Sequence, residues 1–312
     1  MHADETTCQV LREKGRTAEQ TSYMWLYTTG SDVLTPIVLY DYQPSCKGSC
    51  AQNFPEGFRG LVQCDGYQGY NKLEDVILVC CLACARRKFF EAVPAARRKR
   101  LKLLDINSDE AIEDISLPDE EEAKQLLPAE IGLLYCNKLF YLERTLKDLN
   151  PEERKQQRDV LEQPVWDQFW NWLDTLHPTG GSKLGKAVNY AQNHHDTLMN
   201  YLLDGRCEIS INRAERKAKS YAIGRKAFLF HTSETGAGAS AVMYSIVETA
   251  KANNLNIFQY LYTVLLYMPD YMNSSAGIEQ LMPWSEFIKE QCSGLIDVES
   301  NVPEKRIPLP HR

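Results

Sequence analysis

The sequence predicts an α/β protein in which a sheet formed early in the chain is flanked by helices that follow it. Segments rich in aromatic and β-branched residues, bounded by turn residues, predict four strands: 22–29, 36–42, 60–64 and 76–82. After Ala83 the apolar residues recur at helical spacing, which predicts helices for most of the remaining chain. The segment 76–82 is continuously apolar, which predicts a central strand with helices over both faces.

Helical segments are recognised by their apolar faces and their boundaries. Segments 166–173 and 184–202 carry apolar residues at spacings of three and four. Asn150, followed by proline and two glutamates, predicts an N-cap, and the Gly-Gly-Ser sequence at 180–182 predicts a break. The later chain is predicted to form the following elements: a short strand at 207–211, a helix at 212–221 and a longer helix at 239–252.

These patterns divide the chain into four regions. The first part of the core is assigned to 1–100, and an acidic connector with a helical insertion to 101–206. A return to the core, including the helix that bears Glu215, is assigned to 207–270, and a C-terminal segment and tail to 271–312. Within them, 107–128 is acidic and poor in aromatics, and 303–312 contains three prolines, so we expect an exposed or mobile connector and a loose tail.

The composition is that of a soluble globular protein, with 44% apolar and 25% charged residues. The start of the sequence has no basic leader followed by an apolar stretch, and the apolar runs are shorter than the roughly 20 residues of a membrane span. We therefore expect a cytoplasmic protein without membrane contact.

Ten cysteines are scattered along the chain, which favours reduced thiols. The alternative is a four-sulfur zinc site. Its ligands would come from two groups of cysteines, Cys46 and Cys50 in one and Cys80, Cys81 and Cys84 in the other. The apolar run that precedes Cys80 favours small buried hydrophobic residues instead.

The net charge of −7 argues against a general nucleic-acid binder, but the charges are segregated along the chain. The segment 86–102 has eight basic residues and one acid, whereas 105–130 has ten acids and one lysine. The segment 212–226 has six basic residues around the single acid Glu215. Each run by itself is typical of a solvated face.

Three acids stand out by their order and setting rather than by any local signal. Asp4 lies near the start, Asp65 follows a predicted strand, and Glu215 lies on a predicted basic helix. Taken alone, Asp65-Gly66 is an ordinary turn dipeptide, and Glu215 could simply pair with Lys219 one helical turn later.

Several strings extend this pattern and resemble those of the insertion-sequence 66 (IS66) transposase family. The most specific are HADET at 2–6, CDGYQGYN at 64–71, ARRKF at 85–89 and NRAER at 212–216. Further matches are YDYQPS at 40–45, IGRK at 223–226, SIVETA at 245–250 and LMPWS at 281–285. Their order over nearly the whole chain makes a chance agreement implausible.

The resemblance implies a ribonuclease H-like mixed sheet flanked by helices, with a helical insertion between the second aspartate and the glutamate. It implies that Asp4, Asp65 and Glu215 are the catalytic residues and hold two Mg²⁺ or Mn²⁺ ions. The implied reaction is cleavage of DNA at the ends of an insertion sequence and transfer of the strand to target DNA. The expected assembly is a homodimer or larger on DNA, in a bacterial cytoplasm and associated with the nucleoid.

Basic residues near these acids are candidates for DNA phosphate contacts. They are Arg86, Arg87, Lys88, Arg213, Arg216, Lys217, Arg225 and Lys226. The sequence departs from the family pattern at Cys84, where a histidine is expected, at Cys46, where arginine is usual, and at Ala227-Phe228, which replace Asn-Trp.

The position of Asp4 affects the expected activity. Because Met1 precedes it by only three residues, we expect most of its strand to be missing, along with the family's upstream DNA-binding and zinc-finger-like regions. This leaves two rival hypotheses: an inactive transposase remnant that binds DNA or a partner at most, and a stand-alone ribonuclease H-like nuclease.

Overall fold

A computed structural model describes residues 1–30, 35–45, 57–98, 116–271 and 276–294. The sheet is formed by β1 (His2–Arg12), β2 (Thr21–Thr28), β3 (Val38–Gln43), β4 (Gly60–Cys64), β5 (Val76–Cys80) and β6 (His231–Ser233). The first helices are α1 (Leu82–Ala92), α2 (Ala95–Arg98), α3 (Glu120–Gln125), α4 (Pro128–Thr145), α5 (Pro151–Leu161) and α6 (Gln163–Asp174). The later helices are α7 (Lys183–Asn193), α8 (His195–Met199), α9 (Asn212–Phe228), α10 (Glu234–Ala252), α11 (Ile257–Tyr267) and α12 (Glu286–Cys292).

The predicted α/β class is confirmed, because a mixed sheet of six strands is flanked by helices. Five strands follow the order β3-β2-β1-β4-β5, in which β2 is antiparallel to both of its neighbours and β1, β4 and β5 are parallel. The short β6 pairs in parallel with the end of β1. This strand order is consistent with a ribonuclease H-like arrangement.

The strand that carries Asp4 is present, so the expectation that most of it is missing is wrong. β1 has 11 residues and pairs with β2 from His2 opposite Thr28 to Gln9 opposite Thr21. Only Ala3, Cys8, Val10 and Leu11 of β1 are apolar, and polar or charged residues occupy its other positions. That weak pattern explains why sequence reasoning placed no strand there, although β1 is the centre of the sheet.

The continuously apolar strand β5 lies at an edge of the sheet, so its predicted central position is wrong. Its apolar side chains differ in how far they are buried. Val79 and Cys80 are buried, whereas Ile77 is 43% exposed. The edge is covered by chain that follows the insertion helices, where the Asn200 side-chain amide donates to the Leu78 carbonyl at 2.8 Å. Covering an edge in this way satisfies its unpaired backbone groups.

The two faces of the sheet bury different cores. One face packs against the helices through a large cluster that includes Val10 and Leu26 from the strands. The opposite face carries a smaller cluster in which Trp25 packs edge-on against Tyr70 at 5.6 Å between ring centroids. Because side chains alternate along each strand, neighbouring residues of β1 face these two environments in turn.

Between Asp65 and Glu215 the described chain is mostly helical, and helices α3–α8 are called the helical insertion below. The predicted start at Asn150 is confirmed, since its side chain accepts from the Glu153 N–H in a capping box. Ser182 caps α7 where the glycine break was predicted. The acidic stretch after residue 115 contains the exposed helix α3, whereas 99–115 and the predicted tail at 303–312 lie outside the described residues.

The segment 207–211 is not a strand, contrary to prediction. Its backbone is instead held by the ends of β4 and β5. The Ile209 carbonyl accepts from the Leu82 N–H at 3.1 Å, and the Glu208 N–H donates to the Gln63 side chain at 3.0 Å. These contacts replace strand pairing and fix the point at which α9 begins.

The predicted helices at the end of the chain are confirmed and are longer than expected. α9 continues from residue 221 to Phe228, and α10 begins at Glu234 rather than near 239. The eight cysteines in the described ranges are all free thiols, as expected, whereas Cys46 and Cys50 lie outside those ranges. No helix in the described chain combines the length and the apolar character of a membrane span.

Candidate active site

Parallel pairing of β1 with β4 places the two aspartates side by side. His2 is the partner of Gln63, and continuing this register by two residues in each chain places Asp4 beside Asp65. Asp4 also pairs across β2 with Leu26, which belongs to the helix-covered core, so the Asp4 side chain points toward the helices. Adjacent strands lie about 4.8 Å apart, which brings these carboxyl groups close together.

Each aspartate uses one carboxylate oxygen in a local backbone contact. Asp4 Oδ1 accepts from the Glu5 N–H at 2.9 Å, and Asp65 Oδ1 accepts from the Tyr67 N–H at 2.8 Å. The second contact is the side-chain turn that the Asp-Gly dipeptide predicted. Within the described residues, the Oδ2 atoms of both aspartates have no hydrogen-bond partner.

Helix α9 brings Glu215 to the same place from the other side of the core. Ala214, Ala218 and Tyr221 form its buried face against the sheet, and Glu215 lies in its first turn at the edge of that face. A carboxylate in the first turn is also favoured by the helix dipole. The start of the helix is fixed by the anchored segment 207–211.

The pKa of Asp4 indicates that the three acids are close together. The pKa of Asp4 is raised to about 7, first because the group is buried and then because of the charges of Glu5, Asp65 and Glu215. Burial and neighbouring like charge both disfavour the ionised form. Asp4 therefore lies in a region of concentrated negative charge that no nearby cation fully balances.

Glu5 is a fourth member of this group that sequence reasoning missed. It points to the opposite face of the sheet, where its Oε2 accepts from the Tyr70 hydroxyl at 2.8 Å. Its pKa is also raised to about 7, mainly by burial and further by Asp65. The only signal in the sequence was its position beside Asp4 within the HADET string. Asp4, Glu5, Asp65 and Glu215 are called the acid cluster below.

Of the candidate DNA-binding residues, three are close to the acid cluster with exposed or half-exposed side chains. Arg87 Nη2 lies 3.5 Å from Glu215 Oε1, and the Arg87 side chain is 58% exposed. Lys88 lies one residue further along α1, with its ammonium 4.7 Å from the centre of the Tyr190 ring. Arg216 follows Glu215 and is exposed.

Other candidates of that set have internal partners. Arg86 donates to the Asn137 side chain at 2.6 Å, and Lys217 donates to the buried Glu248 at 2.9 Å. Arg213 pairs with Glu208 at 3.1 Å, and Arg225 donates to the Thr7 hydroxyl at 2.5 Å. Lys226 is exposed at the end of α9. These contacts give Arg86 and Lys217 a role in packing, whereas sequence reasoning grouped them with the phosphate contacts.

The helical insertion reaches the acid cluster through Gly66. A Cβ atom placed on Gly66 would lie 2.6 Å from the Tyr190 ring and 2.7 Å from His194 Nε2. The Tyr190 hydroxyl also lies 3.4 Å from Cys80 Sγ at the end of β5. Local sequence around His194 does not reveal its proximity to Asp65, which only the tertiary structure shows.

Cys84, the departure from the expected histidine, lies within this region. It is part of α1, and its N–H donates to the Cys81 carbonyl at 3.2 Å. The pKa of the Cys84 thiol is raised, first by its hydrogen bond with Cys81 and then by burial. A thiol with a raised pKa remains protonated at neutral pH.

The fold and the site together define an α/β protein whose sheet is consistent with a ribonuclease H-like arrangement, with acidic residues clustered where β1 and β4 meet. The chain belongs to the IS66 transposase family. Residues 1–239 match the family model described as "Transposase IS66 family", and residues 245–284 match the "IS66 C-terminal element".

Curated relatives come from Sinorhizobium fredii. The chain is 26% identical over 295 residues to uncharacterized protein y4hP, covering 91% of this chain and 50% of that protein. It is 28% identical over 261 residues to uncharacterized protein y4jD, covering 80% of this chain and 46% of the relative. The chain thus spans about half the length of the curated relatives it matches. No solved structure matches it significantly.

Proposed function

We propose that this chain is the catalytic part of a DDE-type DNA transposase. Its reaction would be metal-dependent cleavage of phosphodiester bonds at insertion-sequence ends, followed by strand transfer to target DNA. The observation that carries the proposal is the half-buried Asp4 carboxyl beside Asp65 and Glu215, with its pKa raised to about 7 by desolvation and by neighbouring charges that include these two.

The acid cluster suits a divalent cation by its chemistry. Its donors are hard carboxylate oxygens, which Mg²⁺ and Mn²⁺ prefer, and their mutual repulsion would be relieved by positive charge. Among the described residues, no three His, Cys, Asp or Glu side chains already stand close enough to hold a metal ion. Glu215 is engaged by Arg87, so a complete site requires it to exchange that partner for the cation.

In this proposal Asp4, Asp65 and Glu215 are the ligands of two Mg²⁺ or Mn²⁺ ions. Such a pair activates the attacking oxygen and stabilises the departing one. Arg87, with its exposed side chain, would turn from Glu215 to a DNA phosphate once the carboxylate has another partner. Arg216, Lys226 and the half-exposed Arg213 and Arg225 provide further positive charge on α9 for the DNA backbone.

The cellular setting follows from the reaction. The partners are the element ends and the target DNA, and a homodimer or larger assembly is proposed because two ends must be joined. A bacterial cytoplasmic protein associated with the nucleoid fits this role.

The test is a cleavage and strand-transfer assay on DNA that carries candidate element ends, with Mg²⁺ or Mn²⁺. We expect Asp65→Asn and Glu215→Gln to lower the rate by about 10³-fold or more, because each removes several kcal/mol of charge stabilisation. Matched controls are Asp159→Asn and Glu152→Gln, two exposed acids of α5.

The possible results separate the rival functions. Activity that survives both site substitutions would exclude the three-carboxylate mechanism. Cutting of DNA without element ends, and without strand transfer, would identify a nuclease instead. A folded chain that binds DNA but never cleaves it would identify an inactive remnant.

A further inference from the structure

Three side chains from two elements cover the chain directly after Asp65. Lys88 comes from α1, and Tyr190 and His194 come from the end of α7 in the helical insertion. The Lys88 ammonium lies 4.7 Å from the centre of the Tyr190 ring, and the rings of Tyr190 and His194 have centroids 4.6 Å apart. The three side chains therefore form one continuous stack.

This stack lies against Gly66 and is held in place by packing. The aromatic ring of Tyr190 and the imidazole Nε2 of His194 occupy the space that a side chain at position 66 would fill. The Tyr190 hydroxyl contacts Cys80 Sγ at 3.4 Å, which ties the stack to the end of β5. Its position relative to Asp65 is thereby fixed by both strands of the sheet that end here.

The polar groups of the stack have no acidic partner of their own. Within the described residues, Lys88 forms no ion pair and neither ring nitrogen of His194 has a hydrogen-bond partner. The field of Asp65 and the field of Lys88 both act on His194, so the three groups lie within electrostatic range of one another. Both donor side chains are half-exposed and thus accessible to a ligand.

Donors of this kind next to a cleavage site suit the phosphate of a DNA backbone. A lysine ammonium supplies a point charge for phosphate, and a histidine N–H adds a directed hydrogen bond. An aromatic ring beneath the ammonium favours its position by a cation–π contact. By contrast, a neutral nucleobase would offer the half-exposed ammonium a weaker acceptor than a charged phosphate.

We propose that Lys88, Tyr190 and His194 form a phosphate wall, at which the helical insertion binds a DNA phosphate neighbouring the one at the acid cluster. This inference rests on the proposed transposase function and assigns the insertion a direct role in binding the substrate. Lys88 and His194 are the groups that bind the phosphate, and Tyr190 is a positioning residue that supports both.

The test measures binding of the whole chain to a short DNA duplex of arbitrary sequence, in EDTA so that no cleavage occurs, over 50 to 200 mM salt. The slope of log affinity against log salt becomes shallower by about 0.9 for each phosphate that the protein no longer neutralises. We expect Lys88→Gln to leave one phosphate without its cation. Between these salt concentrations, the loss of DNA affinity of this variant should therefore be about 3.5-fold smaller than the loss of the wild-type chain. Lys88→Arg should retain the slope.

The other variants separate phosphate binding from packing. His194→Gln should weaken DNA binding several-fold at 100 mM salt. His195→Gln should not, because the His195 ring packs on the Trp170 ring with centroids 4.3 Å apart and its Nδ1 contacts Asp196. Tyr190→Leu should also weaken binding, because it removes the ring that contacts the Lys88 ammonium and the His194 ring. Thermal melting of each variant verifies its fold.

Two results would overturn the phosphate wall. One is a folded Lys88→Gln, His194→Gln double variant with unchanged affinity and salt slope. The other is a wild-type chain that does not bind the duplex at all. Because binding is measured without cleavage, failure of the wall leaves the cleavage results intact, and absence of cleavage leaves the binding comparison interpretable.

Discussion

Two groups of charged side chains in the described part of the chain, one half-buried and the other built around the buried Arg158, differ in how far each is compensated. The acid cluster contains four carboxylates, and burial together with their repulsion raises the pKa values of Asp4 and Glu5 to about 7. The helical insertion contributes to an arginine cluster of Arg158, Glu143, Glu162 and Tyr201. In that cluster the fully buried guanidinium pairs with Glu143 through two hydrogen bonds, at 2.5 and 2.9 Å.

All five donors of Arg158 have acceptors. Beyond the two bonds to Glu143, it donates to the carbonyls of Tyr201, Asp204 and Cys207 at 2.9, 3.0 and 2.7 Å. Those carbonyls belong to the chain that leads into α9. The arginine cluster therefore connects α4 and α5 with the segment that positions Glu215.

This contrast separates structural charge from functional charge in the fold. A buried charge such as that of Arg158, whose donors are all satisfied inside the chain, stabilises one conformation and has no capacity for a ligand. Half-buried charge that lacks an internal counterion remains available to one brought from outside. Three substitutions and the addition of a divalent cation test this difference between the two clusters and the surroundings of the acid cluster.

The largest expected effect comes from removing Arg158. We expect Arg158→Ala to lower the free energy of unfolding by about 3 to 5 kcal/mol, because Glu143 and three carbonyls are left without their partner in the interior. Urea unfolding measures the change, with Lys155→Ala on the same helix as the control, a half-exposed residue whose replacement is expected to matter by about 0.5 kcal/mol at most. Equal effects for both would contradict the structural role of the arginine cluster.

A divalent cation should stabilise the acid cluster and not the arginine cluster. At a Mg²⁺ or Mn²⁺ concentration about 100 times the Kd, we expect the wild-type chain to gain about 2.7 kcal/mol of stability. Asp65→Asn should gain much less, and Glu143→Gln should gain as much as the wild type. Unfolding at increasing metal concentration measures this, and an identical gain in Asp65→Asn would place the metal elsewhere.

Gly66 marks the contact between the acid cluster and the helical insertion. We expect Gly66→Ala to cost about 1 to 3 kcal/mol, since its methyl group would overlap with Tyr190 and His194. Gly180→Ala is the matched control, because no atom lies within 4 Å of a Cβ there. Thermal unfolding compares the two, and a neutral Gly66→Ala would mean that the insertion does not pack against this turn.

The smallest expected effect has the opposite sign. Without divalent metal, Asp4→Asn should raise the free energy of unfolding by about 1 kcal/mol at pH 8, because it removes a partly desolvated charge that its acidic neighbours repel. The exposed Asp167→Asn should change it little. Chemical unfolding in EDTA measures both, and a destabilised Asp4→Asn would show that its carboxylate is already compensated.

Sequence patterns located the elements more reliably than their places in the sheet. The strand Gly60–Cys64 and the capped helix start at Asn150 were predicted to the residue, since both are signalled by residues within a few positions. The apolar run that begins at Val76 was assigned to the centre of the sheet, but it forms an edge that later chain covers. A buried edge and a buried centre have the same apolar pattern, so sequence cannot separate them.

Site residues divide in the same way. Asp65 and Glu215 were identified as candidates from the short sequence motifs around them. Asp4 was identified from its match to the same family. Glu5 was missed because nothing in its spacing reveals that it accepts a hydrogen bond from the buried Tyr70. Arg158 was missed because it lies on a strongly polar helix, where an arginine is normally exposed.

Local sequence was sufficient for the α/β class, for most helix and strand positions, and for the family that supplies the three acids. Only the folded chain reveals that β1 is central, that its register sets Asp4 beside Asp65, and that His194 reaches Gly66. The cause is distance along the chain. Capping and periodicity act over a few residues, whereas register, burial of charge and packing of the insertion depend on residues far apart in sequence.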